Sequence, residues 1–192
     1  MVAKVVQRAT YADIEKLQPN LVGELIAGVL YANPRPAGPH TRAASRLGGE
    51  LGGPFDRGRG GPGGWIILDE PELHFPNETD EDVLVPDLAG WKRERMPKIP
   101  NAPYFTLAPD WVCEVLSAST EAVDRGEKMP VYGRAGVEWA WLVDPSIKTL
   151  EVFRFEQNAW RVEKTFHGEG GVRARPFDAI ELELGALWEA VA

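Results

Sequence analysis

Two stretches decide how this chain folds: Val83-Leu84-Val85-Pro86-Asp87-Leu88-Ala89 and Asp110-Trp111-Val112-Cys113-Glu114-Val115-Leu116. Each is an apolar run with an acid in its interior, where a buried strand should be dry. Side chains alternate faces along an extended chain, so Val85, Asp87 and Ala89 share one side. In the second stretch Val112, Glu114 and Leu116 face opposite to Trp111, Cys113 and Val115. Burying even a neutral polar group without a partner costs about 2–7 kcal/mol. Two carboxylates on adjacent strands also repel each other, and a divalent cation between them offsets both penalties.

Downstream, Ser119 or Thr120 can cap a helix that runs to about Ala135 and stops at Gly136. Asp124, Lys128 and either Val131 or Tyr132 fall on one side of it, and Pro130 should kink it. Trp139 to Val143 reads as a dry strand ending at Asp144-Pro145. Thr149–Phe155 and Trp160–Phe166 alternate about Gln157-Asn158, an antiparallel hairpin. A piece from Ala179 to Leu184 and a short helix near Leu187 follow.

Upstream, Thr10 caps a short helix over Thr10–Leu17 that Pro19 stops. Leu21–Tyr31 is a hairpin about Ala27-Gly28, with Glu24 near the start of its first arm. After Pro34, Pro36 and Pro39 a helix over His40–Leu51 sets Ala44, Leu47 and Leu51 toward a core. Trp65–Leu68 and Glu72–Phe75 are further strands. The order of strands, helix, strand and hairpin describes an α/β fold, a mixed sheet with helices against it, as one domain over residues 1–192.

The single cysteine, Cys113, cannot form an internal disulfide and reads as an inert buried thiol. With no signal-like segment and no apolar run long enough to cross a bilayer, the expectation is a cytoplasmic protein with no membrane partner. A net charge of −8 argues against a general nucleic-acid coat protein, but not against an enzyme with a local basic patch. Lys92, Arg93, Arg95 and Lys98, in a long loop from Lys92 to Pro109, are the densest such patch. Glu78, Asp80, Glu81 and Asp82 form an acidic run that reads as solvated loop or the border of a metal site. Gly58, Gly60 and Gly63 match a dinucleotide fingerprint in letters only: no strand precedes them, Pro62 lies inside, and a surface loop is expected. His74 and His167 have neither zinc spacing nor a cysteine partner.

One series of residues goes further. Glu24-Leu25-Ile26 with Gly28, then Pro34 and His40, Val85-Pro86-Asp87, Glu114-Val115-Leu116-Ser117 with Ser119-Thr120, Asp124 to Lys128, Tyr132, Gly136-Val137 and Trp141-Leu142-Val143-Asp144-Pro145 follow in order. Their order and spacing resemble the Uma family of restriction-endonuclease-like proteins, within the PD-(D/E)XK nuclease superfamily. The resemblance covers roughly Thr10 to Leu187. It implies a restriction-endonuclease-like mixed central sheet flanked by helices, with an N-terminal helix and hairpin. It departs from the family pattern at Ala27, where Asp is frequent, and at Glu138-Trp139-Ala140-Trp141, where Pro-Glu-Tyr-Trp is usual.

What the resemblance implies for chemistry is a phosphodiester hydrolase using Mg²⁺ or Mn²⁺, with nucleic acid, expected to be DNA, as its partner. Asp87 and Glu114 would be metal ligands together with the backbone carbonyl of Val115, hard oxygen donors suited to these ions and not to zinc. Glu24 would add an acid, and His40 a contact to phosphate or metal-bound water. The superfamily's usual lysine position is taken by Leu116, so Lys128 would be its relocated substitute, acting on phosphate charge or on the attacking water. Ser117 and Tyr132 read as partners of the site. Two alternatives stay open: a catalytically silent family member that binds nucleic acid or protein, and an unrelated α/β binding module with ion-paired acids. Dimers are frequent among restriction-like enzymes, so a homodimer is open by analogy.

Overall fold

The computed structural model describes residues 8–77 and 81–188. Its centre is a six-stranded sheet in the order β10-β9-β8-β7-β6-β3. These strands are β3 (Trp65–Asp69), β6 (Leu88–Lys92), β7 (Trp111–Val115), β8 (Trp139–Asp144), β9 (Thr149–Glu156) and β10 (Ala159–His167). β7 and β8 run parallel and every other neighbouring pair is antiparallel, so the sheet is mixed as expected. The parallel pair is joined by a helical crossover through α3 (Glu121–Val123), a π-helical turn at Asp124–Lys128, and α4 (Met129–Ala135). Gly136 ends it in the left-handed conformation, φ 93°, a region that favours glycine.

The alternation read from the sequence holds on both faces. Trp111, Cys113, Val115, Trp141 and Val143 pack with Leu47 and Leu51 of α2 (Gly38–Leu51) and with Phe177. Val112, Leu116, Ala140 and Leu142 pack on the other side with Met129, Val131 and Tyr132. The buried face of α2 is Ala43, Leu47 and Leu51, with Ala44 partly buried at its margin, and the helix starts two residues ahead of His40, with Pro39 in its first turn. Pro130 does not simply kink its helix. The widened π turn lies immediately ahead of it, where a proline without an N–H breaks the regular ladder.

The main difference from expectation lies at Val83–Ala89. It is not one strand: β5 (Glu81–Leu84) ends before Val85, and β6 begins at Leu88. β5 belongs to a second, four-stranded antiparallel sheet in the order β2-β1-β5-β4, with β1 (Leu21–Ile26), β2 (Val29–Pro34) and β4 (Leu73–Pro76). Pro86 brings no N–H to a ladder, and the chain changes sheets around it. The N-terminal helix is shorter than expected, α1 (Tyr11–Ile14), with Asp13 accepting the Thr10 N–H at 2.9 Å. The glycine segment leaves α2 through a π-helical turn at Gly52–Asp56, which buries Phe55, before becoming the expected loop. The C-terminal piece is narrower than Ala179–Leu184: β12 (Leu182–Glu183) pairs with β11 (Gly171–Val172), and α5 (Gly185–Trp188) follows.

Candidate active site

The register of β6 and β7 places the two central acids. Leu88 pairs with Cys113 and Ala89 with Val112, so one further step along the antiparallel ladder sets Asp87 across from Glu114. Directly opposed residues of an antiparallel pair project to the same face. Both side chains line a cleft of about 600 Å³ that also takes in Glu24, His40, Val115, Asp124, Lys128 and the Ser117–Thr120 segment. All the expected site residues therefore meet in one place, although they come from β1, α2, the link between the sheets, β7 and the crossover helix.

Each side chain has a definite partner. Asp87 Oδ2 accepts the Val115 N–H at 2.7 Å, which locks the carboxylate against β7, and His40 Nε2 lies 3.3 Å from the same oxygen. His40 Nδ1 is buried with no hydrogen-bond partner. Glu114 Oε1 accepts the Tyr132 hydroxyl at 2.5 Å, and its Oε2 lies 3.4 Å from Lys128 Nζ. That ammonium is also 2.9 Å from Glu24 Oε1 and 3.0 Å from Asp124 Oδ1. The Asp124 approach is charge attraction without the alignment of a hydrogen bond. Glu24 is not solvent-facing on its hairpin: it is 3% exposed, and Glu114 and Lys128 are nearly as enclosed. At the cleft wall Ser117 Oγ lies 3.0 Å from both Ser119 Oγ and Thr120 Oγ1.

Three carboxylates thus surround one lysine, with Asp87 lining the same cleft, and the acidity of Glu114 and Glu24 shows it. Burial pushes the Glu114 carboxyl well above the usual range, with Lys128 pulling the other way and Asp124, Asp87 and Glu24 adding to the rise. Glu24 is raised by burial and opposed by Lys128. Burial works against the charge on Lys128, but Glu114, Glu24 and Asp124 overcome it and hold its pKa well above the ordinary lysine value. Several carboxyl groups share a poorly hydrated place with one ammonium, and a divalent cation would offset the repulsion among them. Among the described residues no three His, Cys, Asp or Glu side chains stand ready to hold a metal together. The donor chemistry nevertheless fits Mg²⁺ or Mn²⁺, ions commonly held by one or two carboxylates with water and substrate phosphate completing the shell.

Two charged segments singled out in the sequence do not line the cleft where the structure describes them. Lys92, Arg93 and Arg95 are tied to acids (Lys92 to Asp110 and Glu138, Arg93 to Asp56, Arg95 to Asp110), and none of the four basic residues of that loop lines the cleft. Of the acidic run, Glu78 and Asp80 lie outside the described residues. Glu81 faces His74 at 2.9 Å, and Asp82 accepts the Ala27 N–H and pairs with Arg134, so neither lines the cleft. In the other direction, Asp124, which the sequence placed only on the same helix side as Lys128, meets that lysine in the site, and the Tyr132 hydroxyl reaches Glu114 as a partner of the site. The signal was the four-residue spacing Asp124-Lys128-Tyr132 along one helical face.

A family model named Uma2 and described as "Putative restriction endonuclease" matches residues 9–185. The chain belongs to the Uma2 family. A solved structure described as "a putative nuclease belonging to DUF820", from Anabaena variabilis, superposes on this Uma2 chain with a TM-score of 0.72 at 23% identity. The match covers 92% of this chain and 94% of that one. At that identity the likeness speaks for the fold, and it agrees with the mixed central sheet flanked by helices expected from the sequence. No curated protein matches this Uma2 chain. No helix among the described residues is long and apolar enough to cross a membrane.

Proposed function

We propose that this Uma2 protein is a divalent-metal-dependent endonuclease, with DNA as its expected substrate, and that Asp87 and Glu114 hold the ion together with the Val115 carbonyl. The observation that carries the reading is the opposition of Asp87 and Glu114 on one sheet face inside a single cleft that also contains Lys128. A bound Mg²⁺ or Mn²⁺ supplies a water of lowered pKa and offsets charge on the phosphate. The protein does the rest. The Val115 N–H fixes the Asp87 carboxylate, and the Tyr132 hydroxyl fixes that of Glu114. Lys128 brings positive charge to the place where the phosphate becomes more negative. Its contact with Glu114, at 3.4 Å, is the longest of its three and the one most readily exchanged for a phosphate oxygen. His40, beside Asp87 in the first turn of α2, is positioned to contact phosphate or bound water.

The test is to mix the purified protein with plasmid and single-stranded DNA, with Mg²⁺ or Mn²⁺, beside Asp87→Ala. Cleavage that needs the ion and disappears in Asp87→Ala is the expected result. Equal cleavage by both proteins, or none by the parent, removes the reading. One observation favours a second reading, a silent binding member of the family: three carboxylates already surround the ammonium of Lys128. That reading expects DNA binding that is indifferent to the ion, with no Mn²⁺ uptake in calorimetry.

A further inference from the structure

Glu24 occupies an unusual junction. It sits on β1, in the four-stranded sheet, yet its Oε1 accepts the Val85 N–H at 2.9 Å and lies 2.9 Å from Lys128 Nζ. Val85 belongs to neither sheet. It follows β5 and starts the three-residue link, Val85-Pro86-Asp87, through which the chain passes into β6. One carboxylate oxygen of the second sheet therefore pins the link that presents Asp87, and it also anchors the lysine of the crossover helix.

We propose that Glu24 is a positioning residue and not a metal ligand: it sets the path of the chain into Asp87 and the seat of Lys128. The proposal rests on the metal-dependent reading of the site given above. Three features support it. The oxygen that meets Lys128 is already committed to a backbone donor, which weakens it as a donor to an ion. Val85 is two residues from Asp87, and the intervening Pro86 has a fixed φ, so a shift at Val85 is passed on to the acid with little slack. Lys128 lies closer to Glu24 and Asp124 than to Glu114, and of its three contacts only Glu24 also holds the link to Asp87, so Glu24 ties the seat of the ammonium to that link. The second sheet then has a function beyond burying its own Leu84 and Leu73 in the core: through Glu24 it holds two parts of the site in register.

Two substitutions separate the roles. Glu24→Gln and Asp87→Asn each remove one negative charge from the cluster and keep the side-chain shape, so the difference between them isolates direct coordination from charge. Gln retains an oxygen able to accept from Val85 N–H and Lys128, whereas Glu24→Ala retains none. Calorimetric titration with Mn²⁺ is expected to show a large affinity loss for Asp87→Asn, about tenfold or more, and a much smaller one for Glu24→Gln. Glu24→Ala is expected to lose about tenfold as an indirect effect, with restoration by Gln marking the positioning role. Amide exchange of Val85, read without metal, is expected to speed up in Glu24→Ala and to stay slow in Glu24→Gln. A Glu24→Gln affinity loss matching that of Asp87→Asn overturns the proposal, and so does unchanged Val85 exchange in Glu24→Ala. A parent protein that takes up no Mn²⁺ instead defeats the metal-dependent reading itself, while the exchange comparison still decides whether Glu24 pins the link.

Discussion

The Tyr132 hydroxyl donates to Glu114 Oε1 at 2.5 Å from a side chain with no exposed surface, across the boundary between the crossover helix and β7. Burial, and then the nearby Glu114, push the Tyr132 phenol well above its ordinary value, so it remains a donor at any working pH. Tyr132→Phe removes that donor and leaves a buried carboxylate oxygen unsatisfied, at a cost of about 1–3 kcal/mol. Urea unfolding checks this. Mn²⁺ affinity is expected to fall as well, because a loosened Glu114 holds an ion less well.

Lys128 balances three buried acids, so its removal should be severe. Lys128→Met leaves Glu24, Glu114 and Asp124 without their counter-charge, and breaking a buried pair in this way costs about 3–5 kcal/mol. Added Mn²⁺ is expected to restore part of that stability in a thermal melt, since the ion substitutes for the missing positive charge. A melt of Lys128→Met that Mn²⁺ leaves unmoved argues that the acids do not share a cation-accepting space.

The hairpin turn offers an easy gain. Ala27 adopts φ 52° and Gly28 φ 79°, left-handed values that cost an alanine but suit Asn followed by Gly. Ala27 is exposed, and its N–H is held by Asp82 Oδ1 at 2.7 Å, which Asn preserves. Ala27→Asn is expected to stabilise the protein by about 0.5–1 kcal/mol, raising Tm by about 1–4 °C.

At alkaline pH a different contact gives way. Tyr11 donates to Glu72 Oε1 at 2.8 Å, and that hydrogen bond, followed by burial, raises its phenol from 10.0 to about 12. A folded-state pKa above the unfolded value means the protonated phenol favours the fold. Its contribution is complete below pH 10.0 and drains away between there and about 12. The stability difference between the parent and Tyr11→Phe should therefore shrink across that interval. A difference that widens with rising pH contradicts the assignment.

Cys113 should be silent in the native protein. It is fully buried on β7, and burial followed by the fields of Asp87 and Glu114 raises its thiol well above 9.0, so almost no thiolate is present. Labelling with a disulfide reagent at pH 8 is expected only as fast as the protein unfolds. Prompt native-state labelling would show that β7 is open to solvent.

Much of this protein is written locally in its sequence. The two-residue alternation of Val112-Cys113-Glu114-Val115 assigns Glu114 to one face and the thiol to the other, and the structure keeps that assignment. The four-residue step from Asp124 to Lys128 likewise holds through the π turn. Such periods depend only on the geometry of a strand or a helix, so they can be read from neighbouring letters. Three decisive facts depend instead on residues far apart in the chain: the division of Val83–Ala89 between two sheets, the burial of Glu24 against Val85 and Lys128, and the Tyr132–Glu114 hydrogen bond. Strand partners and long-range hydrogen bonds follow from competing burials across the whole molecule, and no local pattern records which of them wins. The sequence by itself determined which residues were acidic, apolar and face-sharing; only the tertiary structure decided which of those acids meet around one lysine.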